Sequence, residues 1–254
     1  MDDRDVVALW DFGRLDLTEQ RLRAAIETAT AERRASDAAL LRTQIARVYG
    51  LRGQFAEATS ELDHVSTMDG AEDPVVRVYL ELERGRAHRS NQEPDLATPL
   101  FLTAYENAQT AGLMALAADA AHMMALVGEA ESQIEWNNRA LAIASAATDP
   151  HTRRWITSIE NNLGWTMHDL GRFEEAYAHW QRALQAAEER GEAERVRVAH
   201  WTLARGLRSL GRYDEALAIQ QRLAAEGPED PYVYEELAEL RTALGRTEDV
   251  AQGS

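Results

Sequence analysis

The sequence predicts an all-α protein. Ala, Leu, Glu and Arg dominate its 254 residues, and all four are good helix formers. Apolar residues recur at spacings of three and four, which is the period of an amphipathic helix. Only six prolines interrupt this pattern, so we expect helix over nearly the whole chain and no strands.

An internal repeat predicts how the helices are arranged. A Gly is followed five residues later by Ala, then by a large apolar residue and then by Ala, as in Gly171, Ala176, Trp180 and Ala183. Seven positions mark the predicted turns: Gly13, Gly53, Gln92, Gly128, Gly171, Gly211 and Gly245. Their spacing of 34 to 43 residues is the length of a helical hairpin.

The repeated residues resemble the tetratricopeptide repeat family, whose unit is a helix, a tight turn and an antiparallel helix. Small side chains at Gly164, Ala176 and Ala183 allow two helices to approach closely. Larger ones fill the space around them, namely Leu163, Phe173 and Trp180. We expect Gly171 to end a first helix in the left-handed conformation. The resemblance implies a right-handed superhelix of about six to seven antiparallel helix hairpins.

The repeat divides the chain into hairpins within a single array over residues 1–254. Asp149 and Pro150 are expected to start a helix. Residues 66–73, which include Gly70 and are followed by Pro74, are expected to form a loop. The predicted parts are an irregular first unit at 1–35, units near 39–72, 78–111, 114–147, 157–190 and 197–230, a capping helix at 231–245, and a polar tail at 247–254.

Composition excludes several classes of function. The formal net charge is -16, so binding to nucleic acid or to an anionic membrane is not expected. All 27 basic residues are Arg, which removes lysine-based phosphate loops and Schiff-base chemistry, and there is no Cys. Residues 1–11 lack the pattern of a secretion signal, and the longest uncharged stretch, 107–118, is too short to span a membrane. We therefore expect a cytoplasmic location.

No catalytic, cofactor-binding or metal-binding motif is found in the sequence. The seven histidines include no pair at helix-facing spacing with a third carboxylate ligand. We therefore expect a protein that is not an enzyme and that uses no metal and no cofactor.

The resemblance implies a concave groove lined by the fifth, ninth and twelfth positions of each first helix, which share one helical face. In the first five regular units these are Thr43, Arg47, Gly50, Leu82, Arg86, Arg89, Ala118, His122, Ala125, Asn161, Trp165, His168, Trp201, Arg205 and Arg208. The sixth unit adds Glu235, Glu239 and Thr242. The candidate binding residues among them are Arg47, Arg86, Arg89, His122, Asn161, Trp165, His168, Trp201, Arg205 and Arg208.

These fifteen positions include five Arg, two Trp and two His but no acid, although the chain as a whole is acidic. Guanidinium groups bind carboxylates through paired hydrogen bonds, and indole rings add flat apolar area. The pattern favours a scaffold that presents its groove to an acidic or carboxylate-bearing segment of a protein or peptide. An opposing interpretation is that these arginines pair with carboxylates of the chain itself.

Other functions stay open. One is a sensor of a peptide or an anionic small ligand that acts through another protein. Another is an enzyme that uses His122 and His168 as acid and base, although no motif supplies a substrate pocket. This chain departs from the Lys and Asn clamp of some family members, because it has no Lys, Asn161 aligns with the first clamp position, and Trp165 replaces the Asn of the clamp. Self-association into a homo-oligomer is also open.

Overall fold

Helices account for all the regular secondary structure in the part of the chain that the computed structural model describes, residues 1, 3–227 and 229–245. Fourteen helices and no β-strand occur in these ranges, so the predicted all-α class is confirmed. The chain divides into two compact units, unit 1 (Met1–Trp155) and unit 2 (Ile156–Ser254).

Unit 1 consists of helical hairpins with short connections, so that the paired helices are antiparallel. Its helices are α1 (Asp3–Ala8), α2 (Leu15–Ala31), α3 (Ala35–Leu51), α4 (Phe55–Ser66), α5 (Pro74–Ser90), α6 (Pro94–Thr110), α7 (Met114–Ala125), α8 (Ala130–Ala146) and α9 (Pro150–Arg153). The first helices of its regular hairpins are α3, α5 and α7. Each packs against the second helix that follows it, and α3 also packs against α5.

Unit 2 has the same organisation. It contains all but the first residue of α10 (Trp155–Asp169), and then α11 (Phe173–Glu189), α12 (Ala193–Ser209), α13 (Tyr213–Glu226) and α14 (Pro231–Ala243). Its first helices are α10, α12 and α14. Helix α14 lies within the range of the predicted capping helix, and the predicted division of residues 1–254 into the units of a single array stays a prediction. The predicted tail at 247–254 lies outside the described residues.

Left-handed residues end the first helices at most of the predicted turns. Gly171 has φ of 72°, as expected for a residue without a side chain. Gln92 takes the same conformation, with φ of 62°, so the turn keeps its geometry where the glycine is missing. Gly13 and Gly128 are not left-handed. At Gly128 the reason is that α7 ends early and the chain enters α8 through an extended Glu129.

Three helices begin at an Asp-Pro pair, because Asp caps the helix and Pro fits its first turn. Asp73 accepts a hydrogen bond from the Val75 backbone N–H at the start of α5. Asp149 and Asp230 accept equivalent bonds at the starts of α9 and α14. The predicted helix start at Asp149 and Pro150 is therefore confirmed, and the predicted loop lies between α4 and α5.

Close approach between α10 and α11 depends on Gly164. A Cβ added there would lie 2.3 Å from Nε1 of Trp180, whose ring is fully buried. Trp180 also lies against Gly206 of α12, so one indole fills the space among three helices. Ala176 and Ala183 are buried on the same helix as Trp180. The predicted packing of small residues around a large one is confirmed.

Gly164→Ala is expected to destabilise the protein by about 1–3 kcal/mol, because the new methyl group overlaps the Trp180 ring in a filled core. The measurement is the free energy of unfolding in urea. Gly50→Ala is the matched control, since a Cβ at this helical glycine meets nothing within 4 Å. The control should be neutral or stabilising by up to about 1 kcal/mol. Equal losses in both variants would contradict the packing explanation.

Candidate functional site

The predicted groove residues of unit 1 lie on α3, α5 and α7, where Arg47 and Arg86 contact carboxylates of the neighbouring first helix. Arg47 of α3 donates a hydrogen bond to Glu83 of α5 over 3.4 Å. Arg86 of α5 donates to Glu83 over 2.6 Å and to Asp119 of α7 over 2.5 Å. These four side chains form the unit 1 ladder, a chain of ion pairs that joins three successive first helices.

Burial makes the unit 1 ladder electrostatically strong. Burial alone raises the pKa of Asp119, but the charges of Arg86 and Arg47 outweigh it and hold the pKa below its usual value. Burial likewise lowers the pKa of Arg86, and the charges of Asp119 and Glu83 reverse this and raise it. The pKa of Arg47 is lowered by burial and by the charge of Arg86. The unit 1 ladder thus combines two guanidinium groups with two carboxyl groups.

Unit 2 contains a related arrangement between α12 and α14. Arg205 and Arg208 both donate hydrogen bonds to Glu236, the latter over 2.8 Å from Nε. The Glu236 side chain is only 4% exposed. Hydrogen bonding to Glu236 raises the pKa of Arg208. Glu239 approaches Arg208 more loosely, at 3.9 Å.

Both arrangements follow one rule, in which a ninth-position Arg pairs with the sixth-position acid of the next repeat. The pairs are Arg47 with Glu83, Arg86 with Asp119, and Arg205 with Glu236. The sixth positions, next to the fifth positions of the predicted groove, are polar throughout: Gln44, Glu83, Asp119, Asn162, Thr202 and Glu236. All of these except Asn162 are buried. The polar residues that recur at the sixth position of each repeat were the sequence signal that could have revealed the pairing.

The opposing interpretation, in which the arginines pair with carboxylates of the chain itself, describes most of the candidate arginines. Four pair with carboxylates of the same unit: Arg47, Arg86, Arg205 and Arg208. The fifth, Arg89, is exposed and forms no ion pair within the described ranges. Most of these guanidinium groups thus have a carboxylate partner in their own unit, while a role for these residues in binding a partner stays a prediction.

Aromatic side chains form a continuous surface along the first helices of unit 2. The ring centroids of Trp165 on α10 and Trp201 on α12 are 6.3 Å apart, and those of Trp201 and Tyr232 on α14 are 6.5 Å apart. Trp201 donates its indole N–H to the Tyr232 backbone carbonyl over 3.2 Å. We call Trp165, Trp201 and Tyr232 the aromatic strip. The guanidinium of Arg205 lies 6.0 Å from the Trp165 ring centroid.

An apolar depression of about 260 Å³ borders the aromatic strip between α12 and α14. Val198, Trp201 and Tyr232 contribute to its rim, and Leu223 and Val233 line it. Tyr232 is 67% exposed and Val198 is 48% exposed. Large apolar side chains that remain in water at a depression are typical of a surface that binds another molecule. Sequence analysis missed Tyr232, because it lies outside the fifth, ninth and twelfth positions.

The two candidate histidines have different environments. His122 in unit 1 is buried, with its ring 5.4 Å from the Trp155 ring. Burial lowers the pKa of His122 to about 4, although Asp119 acts in the opposite direction. In unit 2, His168 shares a hydrogen bond of 2.8 Å with the hydroxyl group of Ser209. A histidine that is neutral at pH 7 and buried, such as His122, is poorly placed for proton exchange with a substrate.

The last predicted site residue, Asn161, supports the core of unit 2. Its backbone carbonyl accepts a hydrogen bond of 3.3 Å from the Trp180 indole. Within the described ranges, no cluster of three or more His, Asp or Glu side chains is arranged to hold a metal ion. None of the helices in that part of the chain has the length and apolar character needed to cross a membrane.

Part of the chain matches the sequence model of a known helical repeat family. Residues 155–225 match the family model of the tetratricopeptide repeat. Residues 155–225 carry the tetratricopeptide repeat. The resemblance inferred from the repeat pattern is thus confirmed, and the tetratricopeptide fold is consistent with a scaffold for protein interactions. Among curated protein sequences, no match is found.

Solved structures show the same fold at low sequence identity. The apo form of RapI is 11% identical over 91% of this chain and 67% of its own, with a TM-score of 0.72. A signal transduction ATPase with a tetratricopeptide repeat sensor, from Pyrococcus horikoshii, is 14% identical with a TM-score of 0.69. That match covers 92% of this chain but only 37% of the ATPase. The APC/C hetero-tetramer Cut9-Hcn1 gives 15% identity, a TM-score of 0.61, and coverages of 93% and 44%.

His122 is expected to make the protein less stable as the pH falls from 6.5 to 4. The pKa of His122 is lowered in the folded protein, so the unfolded chain takes up the proton at a higher pH than the folded one does. The contribution of His122 to the free energy of unfolding is therefore complete only above about pH 6.5. The loss across this window is on the order of 3 kcal/mol. The measurement is the free energy of unfolding against pH for the wild type and His122→Gln.

The charged groups around His122 are Asp119, Arg86 and Arg89. They are unchanged in His122→Gln, as is His200, whose pKa is also lowered by burial. The variant should therefore show a flatter pH profile between 6.5 and 4. Identical slopes for the two proteins would show that His122 does not titrate as described.

Proposed function

We propose that the protein is a non-enzymatic scaffold that binds a segment of a protein or peptide along the aromatic strip of unit 2. The observation that supports this proposal is the continuity of Trp165, Trp201 and Tyr232 over three first helices beside an apolar depression. Rigid aromatic side chains offer a large contact area at low entropic cost, which is why they dominate binding surfaces. An apolar side chain of the partner fills the depression.

The charges beside the aromatic strip favour a partner that also carries a carboxylate. Arg205 and Arg208 share the buried carboxylate of Glu236, and Glu239 adds only a loose contact to Arg208 at 3.9 Å through a side chain that is 61% exposed. Arg205 keeps 31% of its side chain exposed, next to Trp165. A partner carboxylate adds a second acceptor for these two guanidinium groups. Arg205 and Arg208 therefore bind the partner and stabilise the fold at the same time.

Random peptides displayed on phage and selected against the full chain test the proposal. We expect enriched sequences to combine a large apolar residue with a nearby Asp or Glu. Tyr232→Ala should weaken the binding of the enriched peptides about tenfold or more, because it removes the most exposed ring of the strip. Binding is measured by fluorescence anisotropy with synthetic labelled peptides.

Tyr234→Ala is the matched control. Tyr234 has the same side chain on the same helix and is 47% exposed, but it forms no ring contact with the strip in the described part of the chain. Its substitution should leave peptide affinity within twofold. Failure to enrich any peptide, or equal losses with Tyr232→Ala and Tyr234→Ala, would contradict the proposal.

A depression in unit 1 favours the second candidate function, a sensor of an anionic small ligand. It encloses about 180 Å³, and its lining includes Arg47, Glu83, Arg86 and Arg89. Nε of Arg47 and Oε2 of Glu83 are buried without a hydrogen-bond partner among the described residues. An anionic group of the ligand would pair with Arg89, the exposed arginine of this lining. Ligand binding would raise the melting temperature of the protein, and a thermal-shift screen of amino acids and dicarboxylates measures this.

A further inference from the structure

The N-terminal segment, residues 3–12, lies across the first helices of unit 1. It consists of α1 and the aromatic residues that follow. One end contacts α5 and α9 through Asp3, and the other contacts α3 through Trp10. Between these ends Val6 is buried, with 1% of its surface exposed. The segment therefore makes the kind of contacts that a bound peptide makes with a repeat protein.

The carboxylate of Asp3 is held by three side chains from two parts of unit 1. It accepts hydrogen bonds from the Tyr79 hydroxyl of α5 and from Nε2 of His151 in α9, and Nη2 of Arg154 lies 3.6 Å away. Arg154 also donates to Nδ1 of His151 over 3.1 Å. Because Arg only donates, Nδ1 must accept, which leaves the proton on Nε2 to be donated to Asp3. Asp3 itself is 14% exposed at its side chain.

Tyr79 is suited to this role by its environment. Burial and the charge of Asp3 raise the pKa of Tyr79 well above its ordinary value, so its hydroxyl stays protonated and donates. Tyr79, His151 and Arg154 therefore form a set of converging donors, which we call the carboxylate site. A set of this kind recognises any carboxylate of suitable reach, whether or not the carboxylate belongs to the same chain.

The other end of the N-terminal segment reaches the unit 1 ladder. The indole N–H of Trp10 donates to the side-chain carbonyl of Gln44 over 3.0 Å. The rings of Trp10 and Phe12 stack with centroids 4.9 Å apart, and the guanidinium of Arg47 lies 5.3 Å from the Trp10 centroid. The segment thus covers the arginine at the end of the ladder with two aromatic rings.

We propose that the N-terminal segment is a tethered ligand, and that an acidic segment of a partner protein replaces it at the carboxylate site. The partner segment that fits has an Asp or Glu for the site and an aromatic residue about seven positions later, as Asp3 and Trp10 are spaced. This inference goes beyond the binding surface proposed for unit 2, since it concerns different residues in unit 1. Nothing in it requires the aromatic strip to bind a peptide.

Two features favour exchange over a permanent structural role. α1 has only six residues, and an isolated helix of that length has little stability of its own. A cavity of about 500 Å³ also borders the segment, with Asp3, Arg4, Asp149 and His151 among its lining residues. Space beside Asp3 allows an incoming segment to begin binding before the N-terminal segment has left. The tether sets a millimolar effective concentration that a partner must overcome.

A fluorescently labelled peptide with the sequence of residues 3–12 provides the test, with the full chain as receptor and fluorescence anisotropy as the readout. The wild type should bind the peptide weakly, because its own segment occupies the site. Asp3→Asn combined with Trp10→Ala weakens the tether at both ends, so this double variant should bind the peptide at least tenfold more tightly. Asp3→Asn alone, which removes no apolar surface, should give a smaller gain of the same sign.

The role of the carboxylate site is tested by further substitutions in the Asp3→Asn and Trp10→Ala double variant. Arg154→Gln should abolish the gain in affinity, since Arg154 belongs to the carboxylate site. Arg153→Gln is the matched control, because the neighbouring Arg153 donates to the backbone carbonyls of Ser145 and Ala147 instead. A peptide with Asn in place of its first Asp should not bind. Equal binding to the wild type and the double variant, no binding to either, or a gain that survives Arg154→Gln would overturn the proposal.

Discussion

The ion pairs between successive first helices constrain the rest of each unit. A buried acid at the sixth position needs a cation, and the partly buried Arg at the ninth position of the preceding repeat supplies it. Breaking such a buried pair leaves a charge without compensation, which costs several kcal/mol. The pairs therefore stabilise one register between neighbouring hairpins, where apolar contacts alone would tolerate small shifts.

Packing of small residues against large ones complements this constraint. Gly164 lets Trp180 lie flat against α10, and the same indole touches Gly206 of α12. The apolar contacts bring the helices close, and the ion pairs fix which residues face each other. The two effects together explain how repeats of 34 to 43 residues keep one hairpin geometry despite poor agreement in their sequences.

Features governed by local sequence could be predicted, and features that join distant residues could not. The turn at Gly171 and the buried Trp180 follow from the repeat offsets, because turn geometry and hairpin packing involve residues close in sequence. The pairing of Arg86 with Asp119 joins residues 33 positions apart, and the acid lies one position beyond the predicted groove. A helical face read one repeat at a time therefore reveals the arginines but not their carboxylate partners in the next repeat. The crossing of residues 3–12 over unit 1 was missed for the same reason.

A double-mutant cycle on Arg86 and Asp119 tests the central claim most directly. The free energy of unfolding in urea is measured for the wild type, Arg86→Ala, Asp119→Ala and the double variant. Arg86→Ala leaves the buried Asp119 carboxylate without its partner, and Asp119→Ala removes one of the two acceptors of Arg86. The double variant should therefore lose less stability than the sum of the two, with a coupling energy of about 1.5–3 kcal/mol. Additive losses within about 0.3 kcal/mol would contradict the account, because they would show that the ladder does not join the first helices.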